Sequence, residues 1–180
     1  MSNNEPKITA EVCKTEEQYI EFEKGLYREF TTRNPNYWVT LNYKNIDNSR
    51  LQSPISYEHQ LVIILRNENG NVIAGVNANL TYKERMQLEE VGFYLDENIK
   101  NSPYVSEALS LYIEKTNINP FVVGGLIRNS CFSELKKMGY KYYYGTCSED
   151  KLILYKTFKF KVIEEKIING LKKFLIMKEL

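Results

Sequence analysis

The chain reads as an α/β fold, and three observations say so. Its elements follow the order β-α-β-β-β-α-β-α-β, an alternation that builds a sheet with packed helices. Thr15-Glu16-Glu17-Gln18 is a capping box that opens a helix early in the chain. Residues 121–127 (FVVGGLI) are a continuous apolar run, as a buried parallel strand requires.

In order, residues 7–13 (KITAEVC) alternate and form a short strand. From the capping box onward, Tyr19, Phe22, Leu26, Tyr27 and Phe30 recur at helical spacing, until Asn34-Pro35-Asn36 ends the helix. Residues 37–54 are polar and read as a second short helix plus a loop. Residues 59–66 (HQLVIILR) are a buried strand, Asn67-Glu68-Asn69-Gly70 is a hairpin turn, and residues 71–82 are the return strand. Residues 88–95 are the next strand. Residues 105–116 then form a helix with Ala108, Leu109, Tyr112 and Ile113 inward, broken by Asn119-Pro120. After the apolar strand 121–127, residues 129–138 make a short helix closed by Gly139, and residues 141–147 another strand.

The tail has two readings. In the favoured one, Ser148 caps a helix over 148–158, and residues 161–167 and 172–177 form a hairpin across Asn169-Gly170, a specific turn signal. In the other, residues 151–160 are the last strand and the end is an added element.

Composition narrows the function classes. One domain, 1–180, is expected from 180 residues. With 43% hydrophobic and 13% aromatic residues the chain can bury a core. Its 24 basic and 23 acidic residues leave a net charge of +1, which gives no electrostatic case for nucleic acid or a membrane surface as partner. No apolar run approaches a membrane span, and MSNNEPKITAEV carries no signal-peptide pattern. Cys13, Cys131 and Cys147 lack metal spacing, and His59 is the single histidine. The expectation is a cytoplasmic protein with free thiols and no metal.

Two motifs carry a resemblance. Residues 90–96 read EVGFYLD, and Tyr104, Ser106, Glu107, Ala108 and Leu109 follow. Further on, residues 128–140 read RNSCFSELKKMGY. The first is similar to E-I-G-Y-x-L-D followed by a helix beginning T-E-A-L; the second is similar to N-x-x-S-x-x-x-L-E-K-x-G-F. Together, at about the right separation, they resemble the GCN5-related N-acetyltransferases, in the ribosomal-protein and small-molecule branch. In the tail, Leu154-Tyr155-Lys156-Thr157-Phe158-Lys159-Phe160 also resembles that family's L-Y-x-K-x-G-F, with Lys159 in place of the glycine. The family's pyrophosphate loop is altered: Lys100-Asn101-Ser102-Pro103 stands where Gln-Gly-Lys-Gly is expected. Pro103 lacks a backbone donor, while Ser102 suits a helix N-cap, and helix N-termini bind anions.

The resemblance implies a mixed, mostly antiparallel twisted sheet with helices on both faces and a central parallel strand pair. It implies an N-acyltransferase moving an acetyl group from acetyl-CoA, as co-substrate, to a primary amine of a small molecule or peptide. Backbone amides of Phe93, Tyr94 and Leu95 would hold the pantetheine arm; Lys100, Asn101, Ser102 and Tyr104 would meet the pyrophosphate. Family members often use a glutamate on the fourth strand as base and a tyrosine near the last helix as acid, here Glu90 and Tyr155. The acceptor pocket would draw on residues 37–57, with Trp38, Tyr43 and Tyr57. The protein would be a monomer or homodimer. The altered loop keeps two alternatives open: a non-catalytic binding domain, or an acyltransferase fed by a carrier protein.

Overall fold

The computed structural model describes residues 7–33, 37–80 and 85–180. The Asn34-Pro35-Asn36 break, the end of the 71–82 strand and the Trp38 side chain fall outside the described residues. The chain opens with β1 (Thr9–Val12), α1 (Glu16–Tyr27), a wide turn at Arg28–Arg33 and α2 (Tyr37–Asn42). Next come β2 (Lys44–Ile46), β3 (Arg50–Gln52), β4 (Gln60–Arg66), β5 (Val72–Asn79), α3 (Gln87–Glu90) and α4 (Glu97–Lys100). It ends with β6 (Val105–Ile113), α5 (Pro120–Lys137), β7 (Tyr142–Ser148), α6 (Glu149–Thr157), β8 (Lys161–Ile168) and β9 (Leu171–Glu179).

Seven strands form one sheet in the order β1-β4-β5-β6-β7-β9-β8. The sheet is mostly antiparallel; β6 and β7 are its parallel pair. β2 and β3 make a separate small hairpin. No helix among the described residues is long and apolar enough to cross a membrane.

Local chemistry explains most elements. Thr15 accepts from the Gln18 amide and Gln18 answers at the Thr15 amide, so the capping box opens α1 as expected. Gly70 turns β4 into β5 with a positive φ of 78°. In the tail, Asn169 and Gly170 both adopt positive φ, 51° and 75°, the geometry of a type I′ turn between β8 and β9. The helix-then-hairpin reading of the tail therefore holds, and the last-strand reading of 151–160 does not.

Three expectations are corrected. Residues 88–95 are not a strand. Leu88 and Glu89 sit in α3, which Gly92 ends at φ 81°: the Gly92 and Phe93 amides donate back to the Glu89 and Leu88 carbonyls, both at 3.0 Å, a Schellman cap. Residues 105–116 are not a helix; they supply β6. Residues 121–127 are not a strand; they begin α5. Asn119 accepts the Phe121 amide at 2.9 Å and Pro120 takes the first helical position, where its missing N–H costs nothing. The inward residues Val123, Ile127, Cys131 and Leu135 then fall four apart and are all at most 1% exposed.

By its internal contacts the chain divides into two compact units, Met1–Asn77 with Ser110–Cys131, and Ala78–Leu109 with Phe132–Leu180. The first unit's core packs Phe22, Leu26, Val39, Leu51, Ile64 and Tyr112. Tyr112 fits only because two neighbours lack side chains: a Cβ on Gly25 would lie 2.1 Å from its ring, and one on Gly75 at 2.5 Å. A buried polar chain also lies in this unit. Asn77 donates to Gln60 at 2.7 Å and accepts from the Ser110 amide and hydroxyl. The second unit's core packs Met86, Leu88, Phe93, Val105, Tyr144 and Leu175. Elsewhere in it, Phe132, Tyr143, Tyr155 and Phe160 form an aromatic cluster.

Candidate active site

A charged side chain almost never lies fully buried without a reason. Glu107, the third residue of β6, is 1% exposed. It closes the parallel register of β6 on β7, which runs Val105↔Tyr142, Ser106↔Tyr143 and Glu107↔Tyr144. Its carboxylate accepts three N–H groups: the Leu88 amide at 2.6 Å, the Gln87 amide at 2.9 Å and the Asn79 side-chain amide at 3.3 Å. Two of these are first-turn amides of α3, which have no partner inside the helix. Glu107 thus caps α3 from a neighbouring strand, and the Gln87 side chain adds a bond to the Leu109 carbonyl at 2.8 Å.

The electrostatics are opposed. Burial disfavours the charged form, while the three N–H donors favour it. Burial wins, and the Glu107 carboxyl is pushed up from 4.5 to about 7. A carboxyl poised there can take or give a proton at neutral pH, as an acid–base catalyst must. One residue beyond the register, Gly145 faces Ala108, and a Cβ on Gly145 would lie 3.1 Å from the Ala108 Cβ.

An open cleft of about 220 Å³ lies in the same unit, between the loop that follows α3 and the strands β7, β8 and β9. Tyr144, the register partner of Glu107, is one of its walls.

The predicted site residues are scattered through the second unit. Glu90 lies on α3 rather than on a strand, and pairs with Arg85. Phe93 is fully buried in the core. Tyr94, 68% exposed, and Leu95 line the cleft. Lys100 pairs with Glu89. Asn101 donates to Glu97 at 2.9 Å. The Ser102 hydroxyl accepts the Tyr104 amide at 3.3 Å. Lys141 sits over the Tyr104 ring, 4.3 Å from its centroid. The loop of residues 100–104 leads into β6 and not into a helix, so no helix N-terminus stands behind it. Tyr155, on α6, packs edge-on against Phe160; burial pushes its hydroxyl up to about 12.

The helix that does follow the parallel strand is α5, and its first amides are occupied. Pro120 has none, the Asn119 side chain takes that of Phe121, and the Asn119 carbonyl accepts those of Val122 and Val123 at 3.0 and 3.2 Å. In the first unit, Tyr43 is core, and Tyr57 donates to the buried Glu23 at 2.6 Å while stacking on Tyr19.

Glu107 was missed because residues 105–116 read as a helix, on which position 107 is unremarkable. On a strand the same residue lies on one face with Val105 and Leu109, and a carboxylate between two buried apolar neighbours is the signal.

This architecture is the fold of the GCN5-related N-acetyltransferases. The chain is similar to the acyl-homoserine-lactone synthase LasI at 10% identity, with a TM-score of 0.76 over 97% of this chain and 91% of that one. It is similar to FeeM, an N-acyl amino acid synthase from uncultured soil microbes, at 9% identity, with a TM-score of 0.63 over 99% and 93% of the two chains. It is also similar to an acetyltransferase of the GNAT family from Streptococcus pneumoniae, at 12% identity, with a TM-score of 0.57 over 97% and 100%. No family model and no curated protein sequence matches it. At these identities the likeness establishes the fold.

Proposed function

We propose that this protein is an N-acyltransferase in which Glu107 takes the proton of an attacking primary amine. The observation that carries the proposal is the buried carboxyl at the end of the parallel register, held near neutral pH. The amine nitrogen attacks a thioester carbonyl, the C–N bond forms, the C–S bond breaks and the thiol departs. The amine's proton passes to Glu107 through a bridging water, since the carboxylate itself is buried. Tyr155, protonated at neutral pH as an ordinary tyrosine is, is the candidate donor to the leaving thiolate.

Acetyl-CoA is the simplest donor. A second reading has its own support: α5 offers no free amide in its first turn, and the 100–104 loop leads into no helix N-terminus. Neither is a ready cradle for the CoA pyrophosphate. A carrier-protein thioester, whose arm holds a single phosphate, demands less of that loop.

The test supplies acetyl-CoA, or an acetyl-loaded carrier protein, with a panel of primary amines. Thiol release and amide mass are followed. The expected result is turnover with one donor class, with kcat/KM rising to a plateau through pH about 7. Glu107→Gln is expected to slow it by about a hundredfold or more. Absence of thiol release with either donor, or full activity in Glu107→Gln, overturns the proposal.

A further inference from the structure

The cleft beside Tyr144 sets an apolar wall beside two carboxylates. Leu95, Ile99, Ile163 and Leu175 give it an apolar wall, and Tyr94 and Tyr144 add two rings. Its volume of about 220 Å³ is below the usual range for drug-sized ligands, which points to a metabolite-sized occupant. The remaining lining groups are the carboxylates of Asp96 and Glu164.

These two carboxylates differ. Glu164 is paired with Lys166 at 2.9 Å. Lys166 also donates to the Gly92 carbonyl at 2.9 Å and sits over the Phe93 and Tyr94 rings, 5.2 and 5.9 Å from their centroids. Lys166 therefore ties the loop after α3 to β8 and is itself committed. Asp96 is at the N-cap of α4, where an aspartate ordinarily accepts a first-turn amide. Here only its backbone carbonyl does so, toward Ile99 and Lys100; its side chain makes no cap bond. Among the described residues no cation pairs with it. The cleft thus carries two negative groups against one ammonium, and the unspent one borders the apolar wall.

We infer that this cleft binds an organic amine, a compact apolar or aromatic body bearing one ammonium, with Asp96 receiving the charge and Tyr94 and Tyr144 flanking the body. The inference is independent of the acyl-transfer reading, since an ammonium held charged by Asp96 is not the neutral amine that attacks a thioester.

The probe is phenethylamine, measured by calorimetry and by chemical-shift changes without any acyl donor. Phenethyl alcohol and phenylacetate, of the same shape, are the controls. The amine is expected to bind saturably, the alcohol about fivefold more weakly and phenylacetate not at all, the range for a partly exposed charge pair. Asp96→Asn, which removes no side-chain bond of the fold, is expected to bring the amine to the level of the alcohol. Ile163→Trp, at a half-exposed position of an edge strand, is expected to fill the cleft and abolish binding of both. Equal affinity for amine and alcohol, indifference to Asp96→Asn, or no saturation at millimolar amine overturns the inference. Binding that follows the expected pattern without acyl transfer from any donor upholds the cleft and sinks only the acyltransferase reading.

Discussion

Replacing Glu107 by glutamine tests the poise of the buried carboxyl separately from any reaction. The wild-type group titrates at about 7 in the folded protein against an ordinary 4.5. That gap of about 2.5 corresponds to about 3 kcal/mol. The sign follows from proton counting. Between pH 4.5 and 7 the unfolded chain has released this proton and the folded chain has not. The contribution of Glu107 is therefore present in full below 4.5 and is lost as the pH rises to about 7. The glutamine side chain is shaped like the protonated acid and keeps one acceptor oxygen for the Leu88 amide, but it sets a donor against the Gln87 and Asn79 donors, a cost of about 1–3 kcal/mol that does not depend on pH. The variant should therefore be the less stable of the two near pH 5, by about that amount. As the pH climbs to 8, the variant should gain on the wild type by up to about 3 kcal/mol, a Tm difference of roughly 6–12 °C for a chain of this size. Urea and thermal melts of both proteins at four pH values read this directly, and the other titrating groups cancel in the difference. A difference that stays flat, or that favours the wild type increasingly at pH 8, refutes the reasoning. It would mean that the three N–H donors outweigh burial and that Glu107 is an ordinary carboxylate, unable to serve as a base tuned to neutral pH.

Three further outcomes follow from packing and backbone geometry. The Tyr112 hydroxyl is buried with no hydrogen-bond partner among the described residues, so Tyr112→Phe should stabilise the protein by about 1 kcal/mol in urea titrations; a loss of that size would reveal a hidden partner. Gly25→Ala places a methyl 2.1 Å from the Tyr112 ring and should cost about 3 kcal/mol or more, and a cost below about 1 kcal/mol would show that the ring can move aside. Lys159 stands in left-handed backbone at φ 62°, and Lys159→Gly should raise stability by about 1 kcal/mol; an unchanged or lower Tm would contradict the strain argument.

Lys159 also shows why part of the fold was legible and part was not. Three helices end in one hydrogen-bond pattern. Phe93 donates to Leu88, Tyr140 to Leu135 and Phe160 to Tyr155, each across a residue of positive φ. The sequences are Leu88-Glu-Glu-Val-Gly-Phe93, Leu135-Lys-Lys-Met-Gly-Tyr140 and Tyr155-Lys-Thr-Phe-Lys-Phe160. At Leu135–Tyr140 the cap follows a long helix and is legible. At Leu88–Phe93 it follows a helix of 4 residues, too short to show a 3.6-residue period, and the Val-Gly-Phe-Tyr-Leu stretch passes for a strand.

The other two misreadings are a matched pair. In β6 the residues Glu107, Ala108 and Leu109 favour a helix when taken alone, but their place between β5 and β7 overrides that propensity. In α5 the stretch Phe-Val-Val-Gly-Gly-Leu-Ile favours a strand when taken alone. It becomes helix because Asn119 and Pro120 open it and its buried residues fall four apart. A strand and the helix after it were thus exchanged for a helix and the strand after it. The α/β class and the parallel pair survived the exchange, but the strand expected to carry the base moved from residues 88–95 to Val105–Ile113. The strand-borne glutamate of the proposal is Glu107, buried in the register, whereas Glu90 is ion-paired on a short helix. The sequence resemblance therefore points to the same kind of residue as the structure-based proposal but to a different address, because a carboxylate stands out only once its neighbours are known to share one apolar face.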